Sequence, residues 1–310
     1  MRAPSSTNSI SYCEAQCIEF EEIKKATRYS RRDWIVGEGR IGPVYKGWID
    51  EHTLTASKPG YGTAVAIKKR EADGQRRREK WMKEIHYLSR LHHPNLVRLI
   101  GYCDKTENLI LVYEFMPKGS LDNHLFARGH QSIPWETRIK VAIGAARALS
   151  FLHDRKTQVI HRGFKSEDVL LDGEFNAKLS DFSLARDGPT GDTSTLIMGT
   201  YGYAAPEYIA TGYLTAKCDV YGFGVVLLEL LSGRRAVDMN RAREEQKLVE
   251  WANPYLGDKR KLLRIMDAKL KGQYTREAAY SVATLASRCL RLKPKQRPRM
   301  AEVLVALEQL

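Results

Sequence analysis

The chain has 310 residues, of which 43% are hydrophobic and 28% are charged. A chain of this length can bury a substantial hydrophobic core in one large domain or two smaller ones. Its apolar runs fall well short of the roughly 18 residues that a membrane-spanning helix requires. Its five cysteines are scattered and odd in number, which excludes a simple disulfide framework and predicts a reducing intracellular compartment.

The net charge of +13 raises nucleic acid and anionic membrane as candidate partners. The basic clusters lie far apart along the chain, in the stretches RYSRR, QRRREK, GDKRKLLR and RLKPKQRPR. Scattered clusters predict neither a stacking platform nor a helix that reads a groove. We therefore expect no specific nucleic-acid binding and at most a weak contact with an anionic membrane.

The first 17 residues are polar and predict a flexible tail ahead of a folded region of residues 18–310. The tail has no apolar segment typical of a secretory signal, and Arg2 excludes N-myristoylation of the sequence as it stands. Cys13 and Cys17 leave S-palmitoylation open.

The first glycine cluster, GEGRIGPV, fits the pattern GxGxxGxV through Gly37, Gly39 and Gly42. Glycines at these positions let a tight turn bring backbone N–H groups close to phosphate oxygens. A dinucleotide-binding fold would place a helix directly after the glycines, whereas strand-like residues follow here. The stretch therefore indicates a phosphate-binding turn followed by a strand.

The next strand-like stretch, VAIK, predicts one face with Ala66 and Lys68 and an opposite face with Val65 and Ile67, because strand side chains alternate. The small side chain of Ala66 leaves room for a flat ring. Lys68 beside it can reach the phosphates of the same ligand.

The segment QRRREKWMKEIHYLSRL predicts a helix, with Trp81, Ile85 and Leu88 at helical spacing on its buried face. Glu84 lies on the same face. A carboxylate on an apolar face needs a cationic partner, since burying it unpaired is costly. We expect Lys68 to supply that cation.

From about residue 116 the pattern becomes helical. WETRIKVAIGAARALSFLHD predicts a long amphipathic helix with Pro134 at its first position. GFGVVLLELLSG is hydrophobic nearly all round and predicts a helix through the core that ends at Gly233. The chain is therefore expected to adopt an α+β fold, β-rich over about residues 18–116 and mostly helical over about residues 117–310.

Over about residues 20–310 the chain resembles eukaryotic-type protein kinases, and within them the plant receptor-like cytoplasmic kinases. The resemblance is carried by IEFEEIKKAT, LHHPNLVRLIGYC, LVYEFMPKGSLDNHLF and MGTYGYAAPEYIATGYLTAKCDVYGFGVVLLELLSGRRAVD. It implies a bilobal kinase fold: a β-rich N-lobe with one main helix and a larger, mostly helical C-lobe.

The resemblance also implies roles for individual residues. ATP would be bound by Gly37, Gly39, Gly42, Val44, Ala66, Lys68, Glu114 and Met116, with Tyr113 as gatekeeper. Mg²⁺ would be held by Asp168 and Asp181, and Lys165 would contact the transferring phosphate. Lys68 and Glu84 would form the ion pair that positions the phosphates.

The framework roles implied by the resemblance involve four further residues. Glu207 would pair with Arg297, Asp219 would hold the backbone of the catalytic loop, and Arg162 could bind a phosphate on the activation segment. That segment runs from residue 181 to residue 207. Its phosphorylation candidates are Ser194, Thr195 and Thr200.

Three departures from the family pattern bear on activity. Gly163 stands where the family has the aspartate that accepts the substrate hydroxyl proton, and general-base help of this kind contributes about 10²- to 10⁴-fold in rate. Asp168 replaces an asparagine, and Ser183 replaces the glycine of the metal-binding DFG motif. If position 183 needs a positive φ, serine there costs about 1–2 kcal/mol.

Two functions stay open on the sequence. The first is a catalytically impaired pseudokinase, an adaptor or scaffold in signal transduction and plant immunity that binds ATP and Mg²⁺ but transfers phosphate poorly. The alternative is an active serine/threonine kinase of low rate, since phosphoryl transfer depends mostly on positioning and charge stabilisation. The nearby carboxylates Glu167 and Asp168 lie further along the loop, at positions that have other roles in the family. The resemblance implies a cytoplasmic location, and it leaves peripheral attachment to the plasma membrane open. The implied partners are receptor kinases, intracellular immune receptors and other signalling proteins.

Overall fold

The structure is a computed structural model that describes residues 15–28, 31–39, 42–71, 74–105, 108–126, 132–188 and 195–310. These residues form two compact units. The first comprises the described residues up to 71 together with 88–90 and 98–114, and the second comprises the described residues of 74–87, 91–97 and 115–310. The predicted α+β class, with a β-rich part followed by a larger helical part, is confirmed.

The first unit is a six-stranded sheet covered by one helix. Its elements are β1 (Gln16–Cys17), α1 (Phe20–Ala26), β2 (Ile35–Gly39), β3 (Gly42–Ile49), β4 (Thr63–Glu71), β5 (Leu99–Lys105) and β6 (Asn108–Glu114). The strand order is β1-β5-β6-β4-β3-β2. β1 pairs in parallel with β5, and the other neighbours are antiparallel. The sheet therefore includes Gln16 and Cys17, which the sequence assigned to the tail; residues 1–14, with Cys13, lie outside the described residues.

The two faces of this sheet follow the alternation that the sequence predicts. Val65 and Ile67 are buried in one cluster with Ile23 and Ala26 of α1. Lys68, one residue further along β4, lies on the other face. The burial of these apolar side chains against α1 accounts for the helix being held on this face of the sheet.

The second unit is built from eight helices and two short ribbons within the described residues. The helices are α2 (Gln75–Leu88), α3 (Leu121–Phe126), α4 (Trp135–His153), α5 (Pro206–Thr211), α6 (Ala216–Ser232), α7 (Leu248–Leu256), α8 (Arg276–Cys289) and α9 (Met300–Glu308). The strands are β7 (Gln158–Ile160), β8 (Val169–Leu171), β9 (Ala177–Leu179) and β10 (Arg186–Gly188). β7 pairs with β10 and β8 pairs with β9, both antiparallel.

Residues 75–87 of α2 are grouped with this second unit, and its last residue, Leu88, with the first. The Tyr87 hydroxyl of α2 donates a hydrogen bond of 3.2 Å to Asp187 Oδ1 in β10. The predicted buried face is present, with Trp81 and Leu88 buried and Ile85 half-buried. At the start of α4, Pro134 is the N-cap and not the first helical residue.

The core of the second unit is α6, in which every residue from Cys218 to Ser232 is buried. The helix ends at Gly233, as predicted, with a left-handed φ of 62°. A Cβ there would lie 2.6 Å from Asp267 Oδ2, so both the backbone conformation and the close approach require glycine. No helix within the described ranges is both long and apolar enough to cross a membrane.

Candidate functional site

The glycine turn lies in the first unit, where Gly37 and Gly39 belong to β2 and Gly42 opens β3. Gly42 has a φ of +137°, and a Cβ on it would come within 2.8 Å of the Lys69 carbonyl oxygen. Position 42 therefore excludes side chains, which suits a backbone that approaches a ligand closely. Residues 40–41, at the tip, lie outside the described residues.

The strand residues predicted to bind nucleotide share one face of the sheet. Val44 is paired with Lys68, and Ala66 is paired with Tyr113. Because alternate residues of a strand face the same way, these four side chains lie together. Because the side chain of Ala66 is small, it leaves space beside Lys68 for a flat ring.

The remaining predicted nucleotide contacts are at the end of β6 and beyond. Glu114 is the last residue of β6, and its Oε1 accepts a hydrogen bond of 2.8 Å from the Arg98 backbone N–H. Met116 is buried and belongs to the second unit. Glu84, also in the second unit, is 1% exposed, and its ion pair with Lys68 stays a prediction.

The catalytic-loop segment is anchored by Asp219, a buried residue of the core helix α6. Asp219 Oδ2 accepts from the His161 backbone N–H and Oδ1 from the Arg162 backbone N–H, each at 2.8 Å. Oδ2 also lies 2.9 Å from His153 Nε2. These contacts fix the backbone at the two residues before position 163.

Position 163 has room for a Cβ atom. The φ of Gly163 lies outside the left-handed region, unlike that of Arg162 at 68°. A Cβ on Gly163 would meet only Leu184, at 3.4 Å from Cδ1 and 4.0 Å from Cβ, which is ordinary van der Waals contact. Neither strain nor crowding therefore requires glycine here, so the absence of the carboxylate is a chemical difference and not a steric one.

Lys165 is buried at 4% exposure and is bound by a carboxylate of its own loop. Its Nζ forms an ion pair with Glu167 Oε2 and lies 3.9 Å from Asp168 Oδ1. An ammonium in this position attracts phosphate, but Glu167 neutralises it. The sequence noted Glu167 only as a substitute base and missed this pairing with Lys165.

Asp168 and Asp181 flank the ribbon of β8 and β9, with Asp168 just before β8 and Asp181 two residues after β9. Val169 is paired with Leu179, and the Asp168 carbonyl accepts from the Ser180 backbone N–H at 2.9 Å. Both aspartates thus lie at the same end of the ribbon. Carboxylate oxygens are the ligands that Mg²⁺ prefers, and Mg²⁺ binding by these two aspartates stays a prediction.

Ser183 does not carry the backbone strain that the sequence raised. Its φ is not positive, whereas that of Asp181 is 56°. The Ser183 hydroxyl donates a 2.6 Å hydrogen bond to Asp181 Oδ1, and its backbone N–H donates to the same oxygen at 3.3 Å. The predicted cost of 1–2 kcal/mol therefore does not apply, and the serine helps to fix the Asp181 side chain.

The activation segment contacts Arg162. The Arg162 guanidinium donates to the Tyr208 hydroxyl at 2.9 Å, to Thr195 Oγ1 at 3.4 Å and to the Leu196 carbonyl. The Thr195 hydroxyl in turn donates to the Gly212 carbonyl at 3.0 Å. Thr195 is therefore held in place beside an arginine.

The other two phosphorylation candidates differ in their position. Thr200 is half-buried and borders a cavity of about 20 Å³ that also touches Gly163 and Asp219. A cavity of this size is about large enough for one water molecule. Ser194 lies outside the described residues.

Glu207 and Arg297 form a bidentate ion pair, with Nη1 to Oε1 and Nη2 to Oε2 both at 2.6 Å. Arg297 Nε also donates to the Arg291 carbonyl at 2.7 Å. A planar guanidinium matched to a carboxylate in this way is a strong and directional contact. It ties the end of the activation segment to the segment before α9.

The structure adds one group that sequence reasoning did not use, Glu229 in the middle of α6. It is fully buried, and burial raises its pKa to about 7. Its Oε1 accepts 2.7 Å and 3.0 Å hydrogen bonds from the Tyr203 hydroxyl and the Ala236 backbone N–H, and Tyr203 lies 3.3 Å from Ser166 Oγ. The charge within VVLLELL was the signal in the sequence.

The family assignment follows from comparison with known proteins. The sequence profile of the family described as protein tyrosine and serine/threonine kinase matches residues 31–307. This chain belongs to that family. The match spans both units.

Close relatives place the chain among the plant receptor-like cytoplasmic kinases. It is 62% identical to the probable serine/threonine-protein kinase PBL3 of Arabidopsis thaliana, over 94% of this chain and 69% of that protein. It is 56% identical to receptor-like cytoplasmic kinase 176 of Oryza sativa subsp. japonica, over 94% of this chain and 75% of that protein.

These relatives bear on the two functions left open by the sequence. PBL3, and PBL2 of the same organism at 60% identity, are both named as probable serine/threonine kinases. No comparison shows impaired catalysis in this chain. The findings therefore support the active-kinase alternative better than the pseudokinase interpretation that the sequence put first.

Proposed function

We propose that this protein is a serine/threonine kinase of the plant receptor-like cytoplasmic type that binds ATP with Mg²⁺ and phosphorylates signalling proteins slowly. One observation carries the proposal. The loop backbone around position 163 is held by Asp219, with space for a Cβ atom, while the carboxylate itself is missing. An assembled loop supports transfer, and the missing group limits its rate.

The nucleotide would be held by the residues assigned above. The glycine turn offers backbone N–H groups, and the face with Ala66 and Lys68 offers a flat surface beside an ammonium. Asp168 and Asp181 would hold Mg²⁺. Mg²⁺ and ATP, when bound, supply a transferable phosphoryl group and a cation that offsets its charge.

The chain's own residues then set the rate. Asp219 orients the loop, and Ser183 keeps the Asp181 side chain in one direction. Lys165 can stabilise negative charge on the phosphoryl group only when Glu167 releases it. No carboxylate at position 163 takes the proton from the acceptor hydroxyl, so that proton must leave through solvent or another group.

The size of this loss supports slow turnover. General-base help contributes about 10²- to 10⁴-fold, or ~3–5 kcal/mol of barrier. Phosphoryl transfer depends mostly on positioning and charge stabilisation, so losing the base lowers the rate without removing the reaction.

A second function, an adaptor that binds ATP without transferring phosphate, is favoured by the same missing carboxylate and by the pairing of Lys165 with Glu167. Receptor kinases and intracellular immune receptors stay the proposed partners for either function, at a cytoplasmic site.

The deciding experiment is a phosphorylation assay with labelled ATP on the purified chain and on Lys68→Ala. Label incorporation that Lys68→Ala abolishes supports the kinase. Binding of ATP in a thermal-shift assay without any incorporation supports the adaptor. No nucleotide-dependent shift and no incorporation would reject both.

A further inference from the structure

The first unit contains a cavity of about 280 Å³ between α1 and the sheet. On the sheet side it is lined by Tyr45 of β3, Ile67 and Lys69 of β4, and Ile110 of β6. Tyr45 is paired with Ile67, and Lys69 with Ile110, so these side chains share one face. This is the face opposite to the one that carries Lys68.

The helix side of the cavity offers apolar surface. Phe20 and Ile23 line it, together with Thr27. The Thr27 hydroxyl is already used, because it donates to the carbonyls of Ile23 at 3.0 Å and Lys24 at 3.2 Å. The Thr27 hydroxyl is therefore not available to a ligand, and Thr27 offers the cavity its methyl group.

Two lysines line the cavity, Lys24 and Lys69, and they differ in whether their ammonium groups have a partner. Lys24 Nζ is 2.9 Å from Glu21 Oε1 and 4.6 Å from the centre of the Phe20 ring, so it has a carboxylate already. Lys69 is half-buried, and neither its ammonium nor the Tyr45 hydroxyl has a hydrogen-bond or ion-pair partner among the residues described. Polar groups in a partly buried site usually have partners.

We propose that this cavity binds a small carboxylate with an apolar body, of the medium-chain fatty-acid class. The volume corresponds to about nine waters at about 30 Å³ each, which is room for a body of about eight carbon atoms. The apolar walls favour a hydrocarbon chain. The Lys69 ammonium and the Tyr45 hydroxyl can both donate to carboxylate oxygens, with which the ammonium forms a charge-assisted hydrogen bond.

The test compares octanoate with 1-octanol, which has the same chain length and no charge, on the full chain by calorimetric titration. Octanoate is expected to bind one site per chain about tenfold more tightly than octanol, since a charge-assisted hydrogen bond adds at least that factor. Lys69→Met should remove this preference. Lys25→Met is the matched control: it deletes one charge from α1 at an exposed lysine that does not line the cavity.

A second readout locates the ligand. In NMR spectra of isoleucine-methyl-labelled protein, octanoate should shift the signals of Ile23, Ile67 and Ile110, which line the cavity, and leave Ile265 in the second unit unchanged. Three results would each overturn the proposal: no saturable binding, equal affinity for octanol, or an equal loss of affinity in Lys69→Met and Lys25→Met. Binding with shifts only outside these three isoleucines would overturn it as well.

Discussion

Placing an aspartate at position 163 is the most direct test of how this protein works. The substitution Gly163→Asp restores the family's carboxylate at a point where the backbone is already held by Asp219. The new Cβ would meet only Leu184, at 3.4 Å from its terminal methyl. Since the φ of residue 163 is not left-handed, the variant should fold without strain.

The expected gain follows from the chemistry of proton transfer. A positioned general base contributes about 10²- to 10⁴-fold in rate, equal to ~3–5 kcal/mol of barrier. Replacing glycine where the backbone allows it also stabilises the folded state by about 0.4–1 kcal/mol through the unfolded chain. We therefore expect a large rise in kcat and a small rise in stability.

The assay is transfer of labelled phosphate to a generic protein substrate under saturating ATP and Mg²⁺. Gly163→Asn is the matched control, because its side chain has nearly the same shape and cannot accept the proton as a carboxylate does. Gly163→Ala separates the backbone effect from the chemistry. Adding Lys68→Ala to Gly163→Asp should abolish the gain and exclude a contaminating kinase.

One result would refute this reasoning. If Gly163→Asp is folded, binds ATP as tightly as the parent and is still no faster than Gly163→Asn, the missing carboxylate does not limit turnover. The limit would then lie in the charge arrangement around Lys165, or in the activation segment.

Three further predictions concern buried or paired charges. Burial raises the pKa of Glu229 from 4.5 to about 7, so the unfolded chain ionises first as pH rises, and up to ~3 kcal/mol of stability is lost between about pH 4.5 and pH 7. Glu229→Gln should flatten that slope in urea unfolding. Glu167→Gln should free Lys165 and raise kcat by up to about fivefold, since a partly exposed ion pair contributes at most about 1 kcal/mol. Arg297→Lys should lower the free energy of unfolding by about 2–4 kcal/mol, because lysine cannot form the bidentate pair with Glu207.

Each of these has an opposing outcome. An unchanged stability slope in Glu229→Gln would mean that another group titrates there. A slower enzyme after Glu167→Gln would show that this carboxylate assists transfer and does not block Lys165. Arg297→Lys with unchanged urea unfolding would show that the pair with Glu207 adds no net stability.

The local patterns in the sequence predicted much of the fold. Alternation along VAIK gave the two faces of β4, and Val65 and Ile67 are buried while Lys68 faces the other way. The helical spacing around Trp81 and the end of α6 at Gly233 were predicted for the same reason, since each depends on neighbours within a few residues. The hydrogen bond between Tyr87 and Asp187 joins residues one hundred positions apart, and no local pattern predicts such a contact.

The chemistry of the catalytic loop divides in the same way. The sequence by itself determined that no carboxylate stands at position 163, because the identity of a residue does not depend on conformation. It could not determine whether Ser183 is strained, since that depends on the φ angle of the folded backbone. The structure gives Ser183 a hydrogen bond to Asp181 in place of the strain.

Only the tertiary structure brought together groups that are distant along the chain. Tyr203 lies beside Glu229 because the activation segment packs on α6, and the cavity near Lys69 exists because α1 covers three strands without filling the space above them. Sequence periodicity reports which side of an element is buried, but not what it is buried against. The sequence alone shows that the catalytic-loop carboxylate is missing, whereas long-range packing decides which charged groups lie next to one another.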